Sequence, residues 1–365
     1  MNSLLPSSGS YGPDDVSFLL TFLNEAYLGQ FEDAEGEIVE REKPPDALYL
    51  QLFHSALKKY AGRVAHDIAV LAHLLRSRAS DEHLAIVSLA RAGTPLGVVL
   101  VRALRLIGLD ATHYSVGLCP AYGVDARALG YVLRHFRAEQ VIFFDGWTAK
   151  GTVSASLRDS VIAYNKRCKV ALPTRLYCLS DLAGVSAGCA GTEDYLIPSA
   201  LLNATGCGLI SRTFTSTKVS PPCWLEEHHE LKEVMGFHYS FFYQSLAPDD
   251  LSLIFVDAVS KLLVAALEAV THLSTESNLE AATAFKQTSE QLLAYLKQKY
   301  GYAANLVKPG ITEASRAILR RKCSVLLLNN RHNPDVAHLL TIAEASNIKV
   351  VVDQELGCQA VILLT

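Results

Sequence analysis

The spacing of apolar positions changes along this chain, and the changes divide it. From about residue 14 to 78 the spacing is helical. DDVSFLLTFLNEAYLGQF opens on two acids and reads as a helix. An acidic, proline-containing loop follows, FEDAEGEIVEREKPPD. ALYLQLFHSALKKYAGRVAHDIAVLAHLLRS then reads as two helices broken near Gly62. From residue 84 short apolar runs alternate with amphipathic stretches. LAIVSLA, ATHYSVGL, QVIFFD and TRLYCLSD read as strands. PLGVVLVRALRLIG, DARALGYVLRHFRA and TVSASLRDSVIAYNKR read as helices, the first beginning at Pro95 and the last capped by Thr152. Such alternation predicts a parallel sheet with helices on both faces, with ligands outside the carboxyl ends of its strands.

Residues 190–250 have weaker patterning. DLSLIFVDAVSKLLVAALEAV reads as a mostly buried helix, and LEAATAFKQTSEQLLAYLKQKY as an amphipathic connector. The tail reads as helix, strand SVLLL, helix PDVAHLLTIAEAS, strand KVVV and strand QAVILL. The expected division is a helical region at 1–80, a parallel-sheet domain at 81–270, a connector at 271–300 and a small α/β domain at 301–365.

Composition narrows the class. Of 365 residues half are apolar and 19% charged, which suits a globular protein with a sizeable core. A net charge of -4 argues against binding nucleic acid over the whole surface. The tail differs: residues 305–365 hold seven Lys or Arg and five Asp or Glu, or +2, leaving the remainder at 26 minus 32, or -6. The start, MNSLLPSSGSYGPDD, lacks a basic n-region and an apolar h-region, and no apolar stretch is long enough to span a bilayer, so a cytoplasmic protein without a membrane partner is expected. The eight cysteines form no CxxC pair and read mainly as small buried hydrophobes, without zinc spacing.

Two loops carry candidate chemistry. After QVIFF come Asp145, Gly146, Trp147, Thr148, Ala149, Lys150, Gly151 and Thr152. A 5′-phosphate wants backbone N–H groups and hydroxyls at a helix start, so Thr148, Gly151 and Thr152 would cradle it and Lys150 would add charge. Asp145 would hold a ribose diol, directly or through Mg²⁺. Ser88 to Gly97 form the second loop, where Arg91 and the backbone of Ala92, Gly93 and Thr94 would meet a diphosphate. His113 reads as a strand histidine facing solvent or core. A separate constellation is TGCGLISRT, which sets Cys207 between glycines as a candidate nucleophile, with His238 as candidate base. Asn203 and Arg212 suit a polar wall, and His228 and His229 a solvated helical face. In KPGITEASRAILRRK, Arg316 and Arg320 share a helix face with Lys308 and Gly310 at its mouth.

The loops AIVSLARAGTPLG and VIFFDGWTAKGT resemble the two ligand loops of type I phosphoribosyltransferases. With SYGPDDVSFLL, EDYLIPSALLNATGCGLISRT, GFHYSFFYQSLAPDDLS and VKPGITEASRAILRR, nearly the whole chain resembles the bacterial phosphoribosyltransferase-like proteins of tellurite-resistance and stress operons. Those proteins carry a C-terminal Pelota-type RNA-binding domain, and members are also labelled cysteine protease StiP. The resemblance implies a type I phosphoribosyltransferase-like sheet under an N-terminal helical hood, plus a Pelota or L7Ae-like module. It implies phosphoribosyl pyrophosphate and Mg²⁺ as substrate and cofactor, a nucleotide-like product, and Arg91, Asp145 and Lys150 as catalytic groups. It also implies RNA contacts at Lys308, Gly310, Arg316, Arg320 and Arg321. Gly146 departs from the transferases, which have a second acid there. The alternatives are a cysteine peptidase using Cys207 and His238, or a non-catalytic nucleotide- or RNA-binding protein; the acceptor, the RNA and any homo-oligomer stay open.

Overall fold

The computed structural model describes residues 7–31, 38–79, 82–119, 122–215, 238–270 and 290–365. Its strands are β1 (Ser17–Leu19), β2 (Thr21–Asn24), β3 (His83–Leu89), β4 (Asp110–Val116), β5 (Leu118–Cys119), β6 (Gly123–Val124) and β7 (Val141–Thr148). They continue with β8 (Tyr177–Asp181), β9 (Gly188–Gly191), β10 (Tyr239–Phe242), β11 (Val307–Pro309), β12 (Cys323–Leu328), β13 (Lys349–Val352) and β14 (Ala360–Leu364). The helices are α1 (Ala47–Arg78), α2 (Gly93–Leu106), α3 (Ala126–Val132), α4 (Thr152–Cys168), α5 (Ser252–Ser260) and α6 (Leu263–Val270). A helix over 290–300, here α7, precedes α8 (Ile311–Arg320) and α9 (Ala337–Ala345).

Six parallel strands form the main sheet in the order β1-β4-β3-β7-β8-β9. Side chains alternate along β3: Leu84 and Ile86 join the core beneath α1, α2, α5 and α6, while Ala85 and Val87 join the core beneath α3 and α4. The expected parallel sheet with helices on both faces is therefore present. The tail sheet runs β11-β14-β12-β13, with β12 and β13 parallel and the other pairs antiparallel. The tail follows the predicted order, with β11 added at its start.

Several expectations change. DDVSFLLTFLNEAYLGQF is no helix: β1 joins the main sheet beside β4, and β2 pairs with β10. Pairing with distant strands overrides local spacing here, and the burial of β2 alternates with period two. The N-terminal hood is instead a single helix, α1, capped by Asp46, whose carboxylate accepts the Tyr49 N–H at 3.0 Å. Gly62 does not break it, because Ala61, Val64 and Ala65 are buried around that turn and packing outweighs the local propensity cost. β7 runs through Thr148, and α4 is capped by Gly151 in the left-handed region (φ 76°), not by Thr152. The predicted buried helix after residue 250 is two helices, α5 and α6. His228 and His229, and residues 271–289 of the predicted connector, lie outside the described residues.

The two sheet modules share a core. Ile311, Ala314, Ala317 and Ile318 of α8 belong to the same apolar cluster as Tyr195, Leu196 and Ile197. Polar links fix this docking: Thr312 Oγ1 donates to the Tyr195 carbonyl at 2.6 Å and accepts the Ile197 N–H at 2.9 Å. Asp194 accepts the N–H groups of Ile311 and Gln359, at 2.6 and 3.2 Å. Helix α8 is thereby held outside the carboxyl ends of the main strands.

Candidate functional site

Two loops meet under α8. A Cβ on Gly93 would come within 3.1 Å of Asp145 Oδ1, so only glycine lets α2 begin this close to β7. Ser88 Oγ bonds His113 Nε2 at 2.8 Å, and Thr94 Oγ1 bonds Ser115 Oγ at 2.8 Å. His113 also bonds the Asp15 carbonyl at 2.9 Å, and burial lowers its pKa to about 4. It is a neutral core histidine, and neither it nor Ser88 is available to a ligand.

The loop after β7 is closed by the tail. Trp147 Nε1 donates to Glu313 at 3.1 Å, and the Arg316 guanidinium lies 5.5 Å from the Trp147 ring centroid. Lys150 Nζ donates to the carbonyls of Ala304 and Val307, at 2.6 and 3.1 Å. Burial, then Lys308, lowers the Lys150 pKa to about 8. Gly146, Trp147 and Thr148 are strand, and the Thr148 carbonyl accepts the N–H groups of Leu182 and Ala183. Ala149 packs toward Gly310, whose Cβ position lies 3.8 Å away. The expected phosphate cradle is thus an inter-module contact, and Gly310, the expected RNA mouth, faces Leu182 and Asp194.

Asp145 is buried, and its Oδ1 accepts the Gly146 N–H at 2.8 Å. Burial raises its pKa to about 7 against the pull of that N–H and of Arg316. A single buried carboxylate within reach of an arginine is a poor donor set for magnesium. No group of three or more His, Cys, Asp or Glu suited to a metal occurs among the described residues.

The second focus is Cys207. It follows a short 3-10 turn, Ala204–Gly206, and is buried. Tyr11 Oη donates to the Gly206 carbonyl at 3.2 Å, and Gly208 N–H donates to Ser252 Oγ at 2.8 Å. Burial raises the thiol pKa, while Arg91, Arg316 and Arg320 pull it down and Glu42 opposes them. Arg91 Nη1 donates to Glu42 Oε2 at 2.7 Å and to the Ile210 carbonyl at 3.0 Å. Its Nη2 is buried with no hydrogen-bond partner among the described residues. Burial would raise the Glu42 pKa, but Arg91 and Arg320 outweigh it and hold the carboxylate ionised. Arg320 keeps solvent contact, yet surrounding protein and the charges of Arg91 and Arg316 lower its pKa to about 9. Arg321 is exposed, and Lys308 lies 4.0 Å from Glu313.

His238 is not part of this group. Its backbone N–H donates to Asp125 Oδ2 at 2.9 Å, its ring Nδ1 is buried without a hydrogen-bond partner among the described residues, and the ring packs on Gly117, where a Cβ would clash at 2.5 Å. Bridges pair Phe214 with Tyr239 and Ile210 with Phe242, so His238 and Cys207 adjoin opposite ends of one ladder. Three strand rises, Tyr239 to Phe242, separate those bridges by roughly 10 Å, at ~3.3 Å per residue. No hydrogen bond joins the two side chains among the described residues. Asn203 Oδ1 is buried without a hydrogen-bond partner, and the Arg212 N–H donates to Glu42 at 3.3 Å. A cavity of about 430 Å³ lies away from all these groups, lined by Arg78, Leu84, Val141 and Arg175. Sequence reasoning missed Glu42, Tyr11 and Glu313. Glu42 sits in a recognisably acidic loop, but nothing local marks it among its neighbours.

A family profile described as "Tellurite-like stress resistance cysteine protease StiP" matches residues 9–260. The chain belongs to the StiP family. A curated StiP relative, "Cysteine protease StiP" of Acinetobacter baylyi, is 30% identical over 98% of this chain and 94% of its own. Residues 287–365 match the PELOTA RNA binding domain profile. Two solved structures, described as alanine and glutamine mutants in an "analysis of an invariant aspartic acid in HPRTs", cover 36% and 35% of this StiP-family chain and 72% and 71% of their own, at 12% and 11% identity. With TM-scores of 0.25 they carry no argument about it. StiP membership overturns the expected transfer from phosphoribosyl pyrophosphate, since the full-length relative is a cysteine protease by name. The geometry agrees physically: Lys150 is engaged by tail carbonyls, Arg91 by Glu42, and α8 covers the strand ends. No described helix is long and apolar enough to cross a membrane.

Proposed function

We propose that the chain is a thiol-dependent peptide-bond hydrolase with Cys207 as nucleophile, and that its tail module binds RNA. One observation carries the first part: the Cys207 thiol sits on a glycine-flanked turn within electrostatic reach of three arginines, Arg91, Arg316 and Arg320. Cys178, Cys189 and Cys358 instead face carboxylates. Nearby cations favour a thiolate, the reactive form. The thiolate attacks a peptide carbonyl carbon, the C–N bond breaks, and the thiol proton ends on the leaving amine. Water then cleaves the thioester. This reading gives ionisation to the arginines and does not use His238. Burial and Glu42 raise the thiol pKa, so hydrolysis needs Glu42 to leave Arg91. Family membership and the named relative support the peptidase reading, and the PELOTA match with a net-basic tail supports RNA.

The test is hydrolysis of a fluorogenic denatured protein by the full-length chain, alongside Cys207→Ala and Cys207→Ser. Loss of hydrolysis in both variants, with their folding intact by circular dichroism, is the expected result. Undiminished hydrolysis by Cys207→Ala would overturn it.

A further inference from the structure

A cavity of about 430 Å³ opens at the amino ends of β3, β7 and β8, the end of the sheet opposite Arg91 and α8. That size suits a small ligand, since such pockets run from ~300 to ~1,000 Å³. Leu75 of α1, Leu84 of β3 and Val141 of β7 line it with apolar side chains. Its walls are held on two sides. The Asn165 side chain of α4 donates to the Leu172 carbonyl at 2.9 Å and accepts the Leu172 N–H at 3.0 Å, which fixes the loop before β8. The Gln140 side chain donates to the His83 carbonyl at 3.0 Å and ties the turn before β7 to the start of β3. Two arginines, Arg78 and Arg175, also line the cavity. Arg78 Nη1 donates to Tyr177 Oη at 3.3 Å and to the Ala187 carbonyl at 3.2 Å. Arg175 donates to the Val185 carbonyl at 3.2 Å and to the Ser186 carbonyl. Neutral oxygens thus hold both guanidinium groups, and among the described residues neither group meets a carboxylate. Glu139, the acid among the lining residues, pairs with Arg137 at 2.7 Å.

We infer that this cavity binds a small monocarboxylic acid with an apolar body. Its carboxylate accepts from Arg78 and Arg175, and its hydrocarbon covers Leu75, Leu84 and Val141. A guanidinium fork matches a carboxylate, and one already fixed by carbonyl oxygens loses less freedom when the ligand arrives. The apolar walls reject a sugar-like or multiply charged body, whose polar groups would be left unpaired against them. No lining residue comes from the Cys207 turn or from the tail module, so the site stands apart from both peptide hydrolysis and RNA.

The experiment is calorimetric titration of the full-length chain with octanoate, hexanoate and octanol, each below the concentration at which it forms micelles. Octanoate should bind at one site. Hexanoate, shorter by two methylenes, should bind about fifteen-fold more weakly. Octanol keeps the hydrocarbon without the charge and should bind about tenfold more weakly than octanoate. Arg78→Gln and Arg175→Gln should each weaken octanoate about tenfold and leave octanol unchanged. Both arginines are exposed, so the two variants should keep the fold, which circular dichroism checks, and either one suffices for the test. No octanoate binding, or octanoate binding that neither variant weakens, would overturn the inference. Equal affinities for octanoate and octanol would overturn it too, since no group would then be holding the carboxylate.

Discussion

The loop after β7 and the turn at Cys207 both face α8, yet they differ in what is left over. In the loop, Lys150 donates to two carbonyls, and Trp147 reaches both Glu313 and Arg316. At the turn, three arginines converge where Glu42 is the paired acid, and Arg91 keeps one N–H unanswered. A loop whose Lys150 and Trp147 are both engaged by the tail is an internal contact. A turn that leaves buried charge uncompensated is where a ligand or a reaction belongs.

The largest way to break the contrast is Arg91→Met. It strands Glu42 in a mostly buried place beside one remaining arginine of reach, and should cost about 3 kcal/mol of stability in denaturant titrations, the scale of a broken buried pair. A loss under 1 kcal/mol, the range of an exposed pair, would mean that the pair is effectively solvated. Thr312→Val comes next. It removes a hydroxyl that joins Tyr195 to Ile197, and should cost about 2 kcal/mol by leaving buried backbone groups unpaired. Unchanged stability would mean that apolar packing alone holds the modules.

The third prediction concerns pH. Burial raises Asp145 and Asp194 to about 7, above their unfolded values. The folded state therefore holds these protons where the unfolded chain has lost them. Their contribution is full below about pH 4 and is lost as pH rises to about 7, at about 1.4 kcal/mol per pH unit for each proton. Asp145→Asn should remove one of the two slopes, seen by thermal unfolding across that window. An unaltered slope would place Asp145 in contact with water. The smallest effect belongs to Lys150→Met, which should cost about 1 kcal/mol, the ordinary net worth of a hydrogen bond, and leave RNA affinity unchanged. A large loss of RNA affinity would return the loop to the list of binding sites.

The sheet was legible where strands are buried on both faces. LAIVSLA and QVIFFD admit few other readings, and the tail order followed from the same runs. SFLLTFLN was not legible, because β1 and β2 are defined by β4 and β10, far away in sequence. The site divides in the same way. Arg91, Cys207, Arg316 and Arg320 each stood out, but their meeting depends on how α8 docks, which no local pattern carries. Lys150 stood out as well, and the docking gave it a different use. Glu42 is one acid in an acidic loop, and its role exists only through Arg91.

The most direct measurement is the alkylation rate of Cys207 against pH, followed by peptide mass mapping, in the wild type, Glu42→Gln and Arg320→Gln. The account predicts slow alkylation with a raised apparent pKa in the wild type, a lower pKa in Glu42→Gln and a higher one in Arg320→Gln. The same titration curve in all three proteins would contradict it, leaving Cys207 an inert buried thiol untouched by the arginines.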